Sequence, residues 1–293
     1  MARILISTPA IEGCLDALAG HELSEGSPGS DEAAEALICD PTQPVGSEEL
    51  QRMVRLRLIA VAGAGCDRVD LAAAARRGIP VLTAGEGLVE STADLAFGLI
   101  IAASRLMSEA EARLRAGRWE GWRFLEDFGR DVHGARLGLV GLGAIGRAVA
   151  TRAAGFSMRI SHHTRHPTGV PGWIADLDEL LRESDIVSVH VPLSDSTRHL
   201  IDARRIALLA PSAVLVNTAR GAVVEEQALA EALESGALLG AGLDVYEGEP
   251  AICPRLLSAP RTVLMPHIGS ATLHARRAML RGAAEKVASA LGG

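Results

Sequence analysis

The chain has 293 residues, 48% hydrophobic and 22% charged, with a formal net charge of −7. That length allows a sizeable core and two domains, and the scattered acidic residues argue against a nucleic-acid or anionic-membrane surface. Four cysteines (Cys14, Cys39, Cys66, Cys253) follow no metal or disulfide spacing, so reduced thiols in a cytoplasm are expected.

The amino terminus, MARILISTPA, has one basic residue before a three-residue apolar run, too short for a signal-peptide core. Short aliphatic runs then alternate with helical patterns, which predicts an α/β protein with parallel sheets. Strands are expected at 3–7, 36–39, 58–62 and 80–83, with helices near 47–55 and 68–77. The Gly- and Ser-containing stretch 24–31 reads as a surface loop. A long apolar helix follows at 91–106, whose most apolar part, around 95–103, is interrupted by Gly98 and falls short of a membrane span. The polar stretch 117–133 carries Trp119 and Trp122 and has no clear period, so those tryptophans are either a local core patch or an interface anchor.

A second series of strands is expected at 137–142, 159–163, 185–191, 213–218, 239–245 and 262–265, before a last helical pattern at 271–291. Two αβ series separated by one long helix predict two domains.

GLGAIG at 141–146 follows an apolar strand and opens a helix at 145–154, the context a dinucleotide loop requires. Gly141 permits the tight turn. Gly143 lets backbone N–H groups there, with Ala144 and Ile145, approach a pyrophosphate, and Gly146 lets helix and strand pack closely. A tight turn in an unrelated α/β protein, or a methyltransferase loop, would share the motif. The next strand ends ISHHTRHP, and no carboxylate occurs between Gly146 and Asp176. An NAD site wants an acid there for the ribose 2′-hydroxyl. Thr164 and Arg165 instead suit a 2′-phosphate, which a guanidinium can hold bidentately, so NADP is the expected cofactor. NAD binding without the acid contact, with Arg165 merely solvated, is the alternative.

Three further residues each stand just beyond an apolar strand. Arg220 follows AVLVNTA and could clamp a carboxylate or carbonyl, although such an arginine is more often a surface residue. Glu249 lies five residues after Asp244, which ends the strand GAGLD. His267 follows Met265 and Pro266. A histidine can protonate an alkoxide or accept a hydroxyl proton, and a neighbouring carboxylate would orient it and favour its charged form. Strand ends in an open parallel sheet face one crevice, so the three could converge.

GAGCDRVDLAAAARRGIPV, GLVGLGAIGRAVA, NTARGAVVEEQAL, GAGLDVYEGEP and LMPHIGSAT resemble successive signatures of the D-isomer-specific 2-hydroxyacid dehydrogenase family. The resemblance spans nearly the whole chain from about residue 55. RWEGW and the Thr164–Arg165 pair bring it closest to the glyoxylate/hydroxypyruvate reductase branch. It implies His267 as acid/base, Glu249 as its partner and Arg220 as substrate clamp. Asp244 would bond the nicotinamide carboxamide, Thr218 and Ala219 would line the nicotinamide ribose, and Pro192, Thr197 and Gly269 would add cofactor contacts. Backbone N–H groups of Ala64, Gly65 and Cys66 would hold the substrate carboxylate.

The family's fold implies two doubly wound parallel-sheet domains with a cleft between them. One is a flavodoxin-like substrate domain, 1–93, completed by the last helix at 270–293; the other is a Rossmann-type dinucleotide domain, 94–269. A homodimer is implied, with the Trp-bearing arm crossing to the partner. This sequence departs from the pattern at Ala144, where many members have Arg, at Asp94, where Glu is usual, and in its compact first domain. The activity implied is NADPH-dependent reduction of a small 2-keto acid, glyoxylate or hydroxypyruvate first, to a D-2-hydroxy acid. Alternatives are an NAD-dependent enzyme of the phosphoglycerate dehydrogenase type and a cofactor-sensing scaffold of the corepressor type. A formate dehydrogenase would have Gln in the role given to Glu249.

Overall fold

The computed structural model describes residues 1–125 and 128–292. Glu126 and Asp127, within the Trp-bearing stretch 117–133, lie outside the described residues. The chain divides into two compact units, residues 1–91 with 270–293, and residues 92–269.

In the first unit, β1 (Arg3–Ser7), β2 (Glu22–Glu25), β3 (Ala36–Cys39), β4 (Leu58–Val61) and β5 (Val81–Thr83) form one parallel sheet. Their order, β2-β1-β3-β4-β5, is that of a flavodoxin-like sheet. β3 and β4 are buried at every position, as strands covered on both faces must be. Leu5, Leu37 and Ile59 pack with Leu50 and Met53 from the helix Ser47–Arg52 and its end, and with Ala73 and Ala74 of the helix Leu71–Arg76. The helix Leu273–Gly292 packs over β3, β4 and β5 and buries Ala275, Met279, Leu280, Ala283, Ala284 and Val287.

β2 corrects the reading of 24–31 as loop from its first residue. Its sequence, ELSE, has no apolar alternation because it is an edge strand paired only with β1 and mostly exposed. Arg3 holds that edge by pairing with Asp31 at 2.7 Å and with Glu22.

In the second unit, β6 (Arg136–Val140), β7 (Arg159–His163), β8 (Ile186–Val189), β9 (Val214–Asn217), β10 (Gly240–Leu243) and β11 (Thr262–Leu264) form a parallel sheet ordered β11-β10-β9-β8-β6-β7. A single parallel bridge, His162 to Trp173, extends the sheet beyond β7. Counting that bridge as a third strand, the sheet follows the doubly wound dinucleotide order. The order reverses between β6 and β8, so a ligand crevice is expected at their carboxyl ends.

The helix Val89–Ser104 lies on β10. A Cβ on Gly242 would stand 2.9 Å from the Leu99 side chain, and one on Gly240 would stand 3.2 Å from the Ala103 carbonyl. The glycines of GAGLD thus let this helix approach the sheet. Gly98 does not interrupt the helix: 86–104 is one stretch of mean hydropathy 1.4, long and apolar enough to cross a membrane by length and composition alone. Half of that stretch is buried inside the protein, where Ala93, Ala96, Phe97, Leu99 and Ile100 belong to the core.

A helix at Met107–Arg115 has no counterpart in the apolar pattern because none of its residues is buried. An Arg115–Glu111 pair at 2.7 Å and the Arg261 N–H bonded to Glu109 support it instead. The described part of the arm beyond it forms neither helix nor strand, and Trp119 (56%), Trp122 (79%), Phe124, Leu125 and Phe128 are exposed. A core patch is therefore excluded for the two tryptophans.

Candidate active site

The strand β6 leads into Gly141, whose φ of +100° no β-carbon residue adopts without strain. A Cβ there would also sit 2.8 Å from the His190 carbonyl, and one on Gly146 would sit 2.5 Å from the Gly141 carbonyl. The turn closes tightly because both positions are glycine. Gly143 caps the helix Ala144–Ala154 with an extended backbone and has no neighbour within 4 Å of a would-be Cβ, which leaves open space beside the loop. Asp94 pairs with Arg152 at 2.7 Å, tying this helix to Val89–Ser104.

At the end of β7, the Thr164 hydroxyl donates to the His166 carbonyl at 2.7 Å, and the Trp173 indole N–H donates to the Thr164 carbonyl. Arg165 is exposed. In the loop after β8, the Thr197 hydroxyl donates to the Pro192 carbonyl at 2.7 Å and accepts the Ser194 N–H, so it shapes the loop itself. His190, just past β8, is pushed down to about 4 by burial, and its ring bonds Ser188 at 2.9 Å.

After β9, the Asn217 side chain brackets the next turn. Its amide donates to the Arg220 carbonyl at 2.9 Å, and its carbonyl accepts the Ala219 N–H at 3.0 Å. Thr218 is buried, and its hydroxyl has no partner among the described residues. A buried hydroxyl is costly to leave unpaired. This orphaned group and the open glycine cradle fit a dinucleotide held across the carboxyl ends of β6, β8 and β9.

After β10, Asp244 is buried with both oxygens bonded, to the Ile268 N–H at 2.7 Å and the Gly269 N–H at 2.8 Å. Burial pushes its carboxyl up despite those bonds. Glu249 accepts the Tyr246 N–H at 2.8 Å on one oxygen and bonds Nδ1 of His267 at 2.8 Å with the other. Burial would lift the Glu249 carboxyl, but these bonds and the charges of His267 and Arg220 together hold it below its ordinary value. His267 has φ +55°, a left-handed conformation held by its own N–H to the Met265 carbonyl and by the Asp244 bonds to the next two residues.

Glu249 and His267 are therefore bonded to each other, the charge of Arg220 acts on the same carboxylate, and Asp244 joins Gly269. Ala64, Gly65 and Cys66 lie in the first unit, at the carboxyl end of β4. Asn217, Gly221, Glu226 and Tyr246 were not singled out from the sequence, although all but Tyr246 stand in the stretch NTARGAVVEE.

A family model, "D-isomer specific 2-hydroxyacid dehydrogenase, NAD binding domain", matches residues 97–269. A glyoxylate reductase of Thermococcus litoralis is 42% identical over 254 residues, covering 84% of this chain and 77% of that protein. A solved protein of Thermus thermophilus superposes with a TM-score of 0.91 at 39% identity, over 99% of this chain and 97% of that one. The NADPH-dependent glyoxylate/hydroxypyruvate reductase of Sinorhizobium meliloti, solved with NADP and malonate, gives 0.87 at 34% identity over 98% and 92%. The glycine cradle, the doubly wound sheet and the paired carboxylate and imidazole at its strand ends are thus those of a nicotinamide-dependent oxidoreductase, and the chain belongs to the D-isomer specific 2-hydroxyacid dehydrogenase family.

Proposed function

We propose that this protein reduces glyoxylate and hydroxypyruvate to D-2-hydroxy acids with NADPH. The observation that carries the reading is the His267–Glu249 contact, with Arg220 close enough to influence the same carboxylate. A bound nicotinamide supplies the hydride to the substrate's carbonyl carbon. His267 shares its Nδ1 proton with Glu249, which leaves Nε2 to give a proton to the carbonyl oxygen. Arg220 holds the keto acid through its planar fork. Among the described residues, the N–H groups of Ala64, Gly65 and Cys66 donate to no protein acceptor, which supports their holding the substrate carboxylate. Gly141, Gly143, Ala144, Ile145 and Gly146 hold the pyrophosphate. Thr218, Ala219, Asp244 and Gly269 hold the nicotinamide end, and Pro192 and Thr197 lie along the cofactor.

NADPH is favoured over NADH because His163 and Thr164 stand where an acid would, with Arg165 beside them, and because a relative solved with NADP is named NADPH-dependent. The exposed aromatics at 119–128 support a homodimer that covers them, in a cytoplasmic enzyme.

Consumption of NADPH and NADH with glyoxylate, hydroxypyruvate, pyruvate and phosphohydroxypyruvate tests the reading. The highest kcat/KM is expected with NADPH and one of the first two acids, and chiral analysis should find the D product. A preference for NADH would refute the cofactor assignment. Cofactor binding without turnover would make the protein a scaffold.

A further inference from the structure

The segment that carries Glu249 has no secondary structure of its own. From Asp244 to Cys253 the chain is turn and coil, so its course depends on what its backbone N–H groups find. One of them, that of Glu247, finds the side chain of Glu226, which is buried at the start of the helix Glu226–Glu234 and accepts it at 2.6 Å. The Cys253 N–H also favours the charged form of that carboxylate. A buried carboxylate outside the loop thus fixes the backbone two residues before Glu249.

We propose that Glu226 is a positioning residue: by holding the backbone at 247, it sets the course from which Glu249 reaches Nδ1 of His267. Gly221 lets the turn after Arg220 approach the same loop. A Cβ there would lie 1.8 Å from the Tyr246 carbonyl carbon and 2.1 Å from the Glu247 nitrogen, so the turn after Arg220 lies directly against the loop. The outer edge is held by Glu247, whose carboxylate takes Arg198 and His199 at 2.7 Å each. Burial lifts the Glu226 carboxyl above its ordinary value, and the nearby charges of Glu247 and Glu249 act in the same direction, so the position is costly for an acid. An acid kept at a costly buried position, with an oxygen on the loop's backbone, fits a role in setting that loop.

The inference rests on the assignment of Glu249 and His267 to proton transfer, and its test needs no substrate. A carboxylate on Nδ1 raises the nucleophilicity of Nε2 in the neutral ring, so carbethoxylation of His267 by diethyl pyrocarbonate, followed on its own peptide by mass spectrometry and compared at the high-pH plateau where the ring is neutral in every variant, reads the Glu249 contact directly. Glu226→Ala and Glu249→Gln should both slow that modification several-fold, with Glu226→Gln between them and wild type because one acceptor oxygen remains. In turnover, Glu226→Ala should lose about 10- to 100-fold in kcat while the Kd for NADPH stays within about twofold, the split expected of a misplaced catalytic pair.

Circular dichroism establishes which variants are folded, and the Gln variant serves if the Ala variant is not. A folded Glu226 variant whose His267 reacts at the wild-type rate overturns the inference, even with keto acid reduction established. A wild-type protein that reduces no keto acid sinks the proposed function instead, and the His267 rates still decide the role of Glu226.

Discussion

Tyr246 links Glu249 to the strand end that leads to His267: its N–H donates to Glu249, and its hydroxyl donates to the carbonyl of Met265 at 3.0 Å, two residues before His267. The end of β10 is thereby fixed to the end of β11. Tyr246→Phe keeps the N–H bond to Glu249 but removes the hydroxyl's bond to Met265 and its longer contact with the Leu243 carbonyl, and should cost about 1 kcal/mol of stability. Urea unfolding measures that loss, and a small fall in kcat should accompany it. Unchanged stability would show that the phenol does not hold the two strand ends together.

The lowered Glu249 carboxyl has a consequence for pH. A depressed carboxylate contributes stability that is present above its ordinary value of 4.5 and is lost as pH falls through the lower native value. The pair should therefore stay assembled down to that ordinary value, and keto acid reduction should keep its kcat there. His267→Ala should lose on the order of 10²–10⁴-fold in turnover at every pH. A wild-type kcat that collapses well above the ordinary carboxylate range, with circular dichroism unchanged, would argue against the assignment.

Away from the site, Asp185 offers a second pH test. Burial would raise its carboxyl, but Arg136 bonds it through its backbone N–H and its guanidinium, and the charge of Arg130 adds to these. Together they hold it at about 2, against an ordinary 3.8. That shift corresponds to about 2 kcal/mol of stability, present above the ordinary value and lost as pH falls toward the native one. Asp185→Asn should thus be clearly less stable than wild type at neutral pH and close to it at the acid end. An equal gap in denaturant midpoint at both pH values would contradict this.

For the cofactor, Arg165→Ala should weaken NADPH by about 1.5–3 kcal/mol, roughly 10- to 100-fold, and leave NADH nearly untouched. Titration of both reduced cofactors by fluorescence gives the comparison. Equal losses would mean that Arg165 does not contact the 2′-phosphate.

The exposed arm makes a prediction about assembly. With Trp122 79% exposed and in edge contact with Phe124, a second chain is the natural cover for this patch. Trp119→Ala and Trp122→Ala should loosen the proposed dimer in sedimentation and alter the ratio of rates on glyoxylate and bulkier keto acids. A wild-type monomer, with that ratio unchanged in both variants, would rule the arm out as an interface.

The sequence by itself determined the strands that are buried, the glycine loop and the three strand-end residues. Apolar runs such as LIAV and VLVN announce burial on both faces, and GLGAIG announces a turn that side chains would block. Elements that bury little gave no such signal: the polar edge strand β2, the helix Met107–Arg115 and the bridge at Trp173. Only the tertiary structure decided which groups meet. Glu249 and His267 are 18 residues apart, and the parallel pairing of β10 with β11 brings their strand ends side by side. The supports of that contact, Glu226 beneath the loop, Gly221 against it and Tyr246 between the strands, are hydrogen bonds and close approaches over long sequence separations. Periodicity records which face a residue buries; it carries no record of which distant backbone group a buried carboxylate or phenol will find.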